Sequence, residues 1–335
     1  MLESNKEIYP AHVSERVAPN NLEKNDNVLF EHEFTSLICS TSYLILKNVH
    51  VLDDTVFDLS NFTFYPSYTH VYGSFSIKDK LKRLKSFFKN KIIVDKAIWI
   101  TQNWTWMYFH WLTDALPRLI ALEDHIEKHI VLLPESYKKH SYIIDSLEIL
   151  GYDSIFYPEC NRVFVKKLAL PSHTASPGNY NAYYLNILRG RFLKNKTPFR
   201  KIFISRSQAN QRFILNEDEV TNILLSFGFE VHIFENYTLD KQIELMNETS
   251  VLLGLHGAGL ANMLFMPENG NIIELRNQGD KHNNCYFSMA SALKHSYFYL
   301  QGLGDSSQTA SVNIKIDTLE LKNLLNLLFY TNNPR

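Results

Sequence analysis

The sequence predicts an α/β protein of two domains, the second of them Rossmann-like. Two observations carry this reading. Apolar runs of strand length alternate with helical stretches of ten or so residues over most of the chain, and 335 residues are more than one ordinary domain needs. At 45% hydrophobic and 21% charged residues, the chain can bury a sizeable core, so disorder is not the default.

Up to Phe75 the strand signals are short runs, SYLILKNVHVL (42–52) and FTFYP (62–66). The basic stretch KDKLKRLKSFFKNK (Lys78–Lys91) reads as a solvated helix, with contact to anionic lipid as the second reading. Alternation then resumes with HIVLLP as a strand, Tyr137 to Leu150 as a helix closed by Gly151, and VFVKKLAL as a strand. A linker is expected between SPGNYN (176–181) and NKTPFR (195–200).

The second half is the more regular. KIFIS (201–205) is a strand, and Asn216 with Glu219 three residues on forms a capping-box pattern before a helix that Gly228 closes. EVHIF, SVLLGL, NIIEL and YFYLQG follow as strands. Helices are expected over Thr238 to Glu248, from the glycine cluster onward, and over Asn284 to Lys294. Domains are placed at 1–185 and 195–310, with 311–335 a strand and helix free to pack back on the first domain.

Several classes are excluded or disfavoured. A net charge of -1 gives no global field for nucleic acid. Three scattered cysteines (Cys39, Cys160, Cys285) make neither a disulfide framework nor a metal cluster, and the N-terminus is polar, so the expected location is cytoplasmic, at most peripheral to a membrane. No metal is expected: His125 and His129 in HIEKH have i, i+4 ligand spacing but lack the HExxH pattern and read as exposed helix residues.

Three stretches could carry chemistry. HGAGLAN (His256–Asn262) follows an apolar strand, and its glycines would let an anion approach free backbone N–H groups at a helix start. It is neither a P-loop nor GxGxxG, and its bland reading is a tight packing turn. In ISRSQANQR, Arg206 and Arg212 lie past a strand end, suited to phosphate or simply solvated. In WTWMYFHWLTDALPRL, His110 and Asp114 share a helix face behind an aromatic wall. That pair reads as a general base with its orienting partner, or as a hydrogen-bonded core histidine.

Taken together, NWTWMYFHWLTDALPRL, ISRSQANQRFILNEDEV and the stretch from GFEVHIF through GLHGAGLANMLF to NIIEL resemble glycosyltransferase family 61, over about Trp104 to Leu275. The resemblance implies a GT-B architecture, two Rossmann-like domains facing across a cleft. It also implies inverting transfer from a nucleotide sugar, taken as UDP-linked, with no required metal. Arg206, Arg212, His256, Gly257, Ala258, Gly259 and Asn262 would then hold the diphosphate, and Glu274 the ribose hydroxyls. Asp114 is the expected base and His110 its partner, with the reverse assignment open. The acceptor would be a glycan or lipid-linked glycan of a capsule or surface polysaccharide. The rival readings are a silent binding or scaffold protein of this fold and a sugar-nucleotide epimerase.

Overall fold

The computed structural model describes residues 1–71, 73–306 and 311–331. The chain forms two compact units, one of Met1–Val13 with Leu37–Arg191, the other of Ser14–Ser36 with Phe192–Arg335.

Unit 1 carries an eight-stranded sheet. Its order is Thr63–Phe64, Thr55–Asp58, Thr41–Leu52, Asn161–Pro171, Asn90–Ile98, Ile130–Pro134, Ser154–Tyr157, with Leu2–Tyr9 also paired to Thr41–Leu52. The last four of that order run parallel to one another. The strands that precede Asn90 in the chain pair antiparallel. A Rossmann-like reading therefore describes only half of this sheet. The cause is local: Leu52 and Thr55 are joined by Asp53-Asp54 alone, and so short a turn can only return the chain antiparallel. Within the parallel part, Asn90–Ile98 has its next strand on one side and Asn161–Pro171 on the other. The carboxyl ends of Ile98 and Pro171 thus flank a switch point, where open α/β sheets hold ligands.

His173 lies just past that second strand end. Burial, reinforced by the nearby Arg118 cation, pushes its imidazole down to about 3. Between about pH 6.5 and 3 the unfolded chain therefore binds a proton that the folded chain refuses. The stability this neutral histidine contributes is complete above about pH 6.5 and falls as the pH drops. We expect unit 1 to lose about 1–2 kcal/mol between neutral pH and pH 5 from this residue. His50, pushed down to about 4 by burial and Arg162, adds to the same limb. Urea unfolding of His173→Gln at both pH values checks the assignment: an unchanged acid loss would mean that His173 is not its source.

Unit 2 has six strands in the order Glu230–His232, Arg200–Ile204, Thr249–Leu255, Asn271–Asn277, Ser296–Gly304, Ile314–Lys315. The first five are parallel and the last is antiparallel. Numbered along the chain, the parallel strands run 2-1-3-4-5, the flavodoxin-like doubly wound order, whose switch point lies between the first and third strands. The loops that leave those strands begin at Ser205 and His256. Their interiors are continuous apolar runs because both faces are covered, with Phe203, Leu253, Ile273 and Phe298 in one core.

Three expectations are corrected here. Residues Ser14–Ser36 belong with unit 2 rather than with the first domain. Asn21 exchanges hydrogen bonds with the Tyr299 backbone (2.7 and 3.1 Å), Asp26 accepts from the Tyr299 hydroxyl (2.6 Å), and Phe30 packs among Phe287, Tyr297 and Tyr299. The C-terminal strand and helix stay on unit 2, pairing Ile314 with Gly304 and placing Leu321, Leu324 and Leu325 in its core. Asn216 makes no capping bond to its helix. Its amide clamps the Ile316 backbone instead, donating at 2.9 Å and accepting at 3.0 Å.

Candidate active site

In unit 2 the two switch-point loops meet. Register pairs Ile204 with Gly254, so the residues just beyond, Arg206 and Gly257, come side by side. A Cβ placed on Gly257 would lie 2.7 Å from Arg206 Nη1. Arg206 folds its own loop by donating from Nε to the Arg212 carbonyl (3.0 Å) and from Nη2 to that of Gln211 (2.9 Å). Arg212 takes a left-handed backbone (φ 61°), and its buried Nε has no partner. Burial, then the neighbouring Arg212 charge, hold the Arg206 guanidinium below its usual value. Among the described residues neither arginine has an ion-pair partner, and the N–H groups of Gly257, Ala258 and Gly259 donate to nothing. Two crowded cations beside three free N–H groups form a site for an anion.

His256 stands at the same place. Its ring lies 5.0 Å from that of Tyr286, and its Nδ1–H donates to Glu274. A carboxylate only accepts, so the proton is on Nδ1 and Nε2 is turned away from Glu274. Glu274 is fully buried in mid-strand, with its second oxygen taken by the Tyr297 hydroxyl. Burial works to raise its carboxyl, but His256 first and Arg276 next outweigh it, and the group sits below its usual range. A protonated His256 would thus have a fixed counter-charge and an Nε2–H to donate.

The predicted roles change at three positions. Glu274 cannot meet ribose hydroxyls in this arrangement, because both carboxylate oxygens are engaged inside the core; it positions His256. Gly259 is not cleared for a ligand: its missing Cβ would meet Ile204 Cγ2 at 3.1 Å, as that of Gly254 would meet Leu260 at 3.2 Å. Asn262 is buried and donates to the Gly259 carbonyl (3.0 Å), shaping the loop from beneath. The loop itself opens the expected helix, eight residues of 3-10 geometry over Ala258–Phe265.

In unit 1, His110 and Asp114 lie on one continuous helical stretch whose middle, Trp111–Ala115, widens to a π turn before Pro117. Proline has no N–H for the carbonyl four residues back and its ring crowds it, which accounts for the widening. His110 Nδ1–H donates to Asp114 Oδ2 at 2.7 Å. Asp114 Oδ2 also accepts from Gln102 Nε2 (3.1 Å), while Thr113 Oγ1, 3.1 Å from Oδ1, lies closer to the Phe109 carbonyl (2.8 Å). Its side chain is 9% exposed, against 17% for His110. Among the described residues His110 Nε2 has no partner, while the ring leans on Trp104 at 5.3 Å. Asp114 Oδ2 is thus held by two donors, and the imidazole keeps a nitrogen without a partner among the described residues. This favours His110 as base and Asp114 as its anchor, the reverse of the assignment preferred from sequence.

One turn further on, Arg118 is fully buried and donates to the carbonyls of Ile100 (2.9 Å), Tyr68 (2.7 Å) and Pro171 (2.5 Å). Burial pushes it down to about 9, opposed by the Asp114 charge, so it stays protonated at neutral pH. Sequence reading missed Arg118, Gln102, Tyr286 and Tyr297. Gln102 had a signal, a polar residue just past a strand end; the others have none that is local.

Residues 108–273 match the sequence model of Glycosyltransferase 61. The chain is 26% identical over 216 residues to beta-1,2-xylosyltransferase XAX1 of Oryza sativa subsp. japonica, covering 54% of this chain and 37% of that protein. It is 32% identical over 122 residues to the EGF domain-specific O-linked N-acetylglucosamine transferase of Drosophila melanogaster, covering 35% and 23%. To alpha-1,3-arabinosyltransferase XAT3 of Oryza sativa subsp. japonica it is 29% identical over 117 residues, covering 30% and 20%. The chain thus spans well under half the length of these relatives. The matched segment holds His110, Asp114, both switch-point arginines and the HGAG loop, and the chain belongs to glycosyltransferase family 61.

Proposed function

We propose that the protein is an inverting glycosyltransferase of the GT-B type. Unit 2 binds a nucleotide-sugar donor, UDP-linked in the first instance, and unit 1 activates a hydroxyl of a glycan acceptor, of the kind found in capsule or surface polysaccharide. The observation that carries this is a pair of guanidiniums that, among the described residues, form no ion pair and stand beside three free N–H groups at a sheet switch point. The relatives named for xylosyl, arabinosyl and N-acetylglucosamine transfer make a sugar the group to move.

In the reaction His110 Nε2 takes the acceptor hydroxyl proton as that oxygen attacks the anomeric carbon. The bond from that carbon to the diphosphate oxygen breaks on the opposite face, and its electron pair leaves with the diphosphate. Arg206, Arg212 and the loop N–H groups bear the charge that develops there. His256, oriented through Nδ1 by Glu274, keeps its Nε2 for a contact with the donor. The flat Trp104 ring beside His110 offers an apolar surface for a sugar ring.

Two outcomes are expected. Turnover of a panel of nucleotide sugars should release nucleoside diphosphate at the same rate with EDTA present, because arginines supply the positive charge. Loss in EDTA, restored by Mn²⁺ or Mg²⁺, would replace this mechanism with a metal-assisted one. Hydrolysis or epimerisation of the donor with no acceptor requirement would overturn the transferase reading.

The second outcome is a double-mutant cycle. Arg206→Ala should weaken UDP binding by about 1.5–3 kcal/mol, or roughly ten- to a hundredfold. Gly257→Ala should act on the same contact, because its new methyl group displaces the movable end of Arg206 rather than backbone. Calorimetry should therefore find the double variant no weaker than Arg206→Ala alone. Additive losses would mean that the loop and the arginine serve different ligand atoms.

A further inference from the structure

We propose that the helix Ile77–Leu84 and the turn after it, Lys85–Phe88, dock this protein on an anionic lipid surface. The segment is firmly built on its inner side. Ser76 and Asp79 form a capping box, Ser76 Oγ accepting from Asp79 N (3.2 Å) and Asp79 accepting from Ser76 N (3.1 Å). Arg83 holds Asp54 through two bonds (2.8 and 2.9 Å) and lies over the Phe75 ring at 3.9 Å. Leu84 and Phe87 pack on Leu52, Phe57 and Phe64. Lys89 reaches Asp53 at 2.6 Å.

The outer side has no such account. Ile77 is 78% exposed, Leu81 59% and Phe88 91%. Ile77 and Leu81 are four residues apart and share a helix face, and Phe88 projects from the turn that continues it. Water is a poor environment for a whole phenyl ring, and the adjacent Phe87 is packed inward, so the fold does not itself require an aromatic residue at 88. Charge identifies the occupant. Seven basic residues and one acidic residue lie between Lys78 and Lys91. Arg83 and Lys89 are spent on Asp54 and Asp53, while Lys78, Lys80, Lys82 and Lys85 form no ion pair among the described residues. Apolar side chains standing among unpaired lysines fit an interface whose headgroups are negative and whose acyl layer begins a few ångströms below. A polyanion such as RNA would use the lysines but gain nothing from Ile77, Leu81 and Phe88.

The test is co-sedimentation of the full chain with vesicles of phosphatidylcholine mixed with phosphatidylglycerol, and with phosphatidylcholine alone. Binding is expected to the mixed vesicles, at least about tenfold weaker to the neutral ones, and weakened by salt. Leu81→Glu/Phe88→Glu and Lys78→Glu/Lys82→Glu should each lower the partition by about tenfold or more. All four residues are exposed, so both variants should keep the wild-type unfolding midpoint and UDP affinity. The Phe88→Trp variant should show blue-shifted indole emission when mixed vesicles are added. Absence of vesicle binding would overturn the proposal. So would binding that survives Leu81→Glu/Phe88→Glu and leaves the emission of the Phe88→Trp variant unmoved, a result that would mark a generic polyanion face.

Discussion

His110→Ala is expected to transfer sugar about 10²–10⁴-fold more slowly than the wild type while binding UDP with unchanged affinity. The prediction rests on the occupancy of the two candidate groups. Asp114 Oδ2 already receives hydrogen bonds from His110 and Gln102, and its side chain is 9% exposed against 17% for His110, so an acceptor hydroxyl reaches the imidazole more readily. His110 has its Nδ1 proton fixed by that carboxylate, and its Nε2 has no partner among the described residues. Asp114→Asn should also slow transfer, because a neutral amide holds the Nδ1 proton more weakly and no longer fixes the tautomer.

Rescue separates the two roles. Imidazole in solution should restore part of the activity to His110→Ala, where the missing group is the base itself. It should do nothing for Asp114→Asn, where the base remains but is poorly aimed. The opposite result, a nearly normal His110→Ala beside a dead Asp114→Asn, would return the base to the carboxylate. If both variants transfer at the wild-type rate, the helix is core and the base lies elsewhere.

Much of the second unit could be read from sequence because its signals are local. Parallel strands buried on both faces are continuous apolar runs, and each helix between them ends on its own punctuation, such as Gly228 with φ 79°. The positions of Arg206 and His256 follow from the same rule, since residues just past strand ends at a switch point face the ligand. The misreadings share one cause. Asn216 looks like a cap until Ile316, a hundred residues on, offers its backbone. Glu274 looks accessible until Tyr297 and His256 close over it. In the GLHGAGL turn, glycine signals close approach but does not say of what. At Gly254 and Gly259 the neighbour is a core side chain, and only at Gly257 is it the arginine of the anion site. Partners far away in sequence decide each of these cases, and a local pattern cannot name them.

Arg118 is the strongest instance, and the second large effect is expected there. In LPRL it reads as an ordinary helix arginine, yet its guanidinium joins three segments by binding the carbonyls of Tyr68, Ile100 and Pro171. Two of these lie at or just beyond the strand ends Ile98 and Pro171, so the clamp holds both sides of the unit 1 switch point. Arg118→Met keeps most of the volume but leaves three carbonyls without their donor and removes a buried cation that interacts with the Asp114 charge. Each unpaired buried group costs about 1–3 kcal/mol, and relaxation recovers part of the sum, so a loss of about 3–5 kcal/mol is expected in the unfolding of unit 1. Arg118→Lys should fall between the two, since one ammonium keeps the charge but cannot span three carbonyls with the geometry of a planar fork. Urea unfolding followed by circular dichroism measures the stability, and UDP calorimetry reports unit 2 independently. Transfer should fail in Arg118→Met even at temperatures where the chain remains folded, because Ile100 leads directly into the Gln102 that helps fix Asp114. A variant within about 1 kcal/mol of wild type would show that the carbonyls find water or new partners and that the clamp holds nothing. A stable variant that also transfers normally would separate Arg118 from the dyad altogether, leaving Gln102 as sufficient support for Asp114.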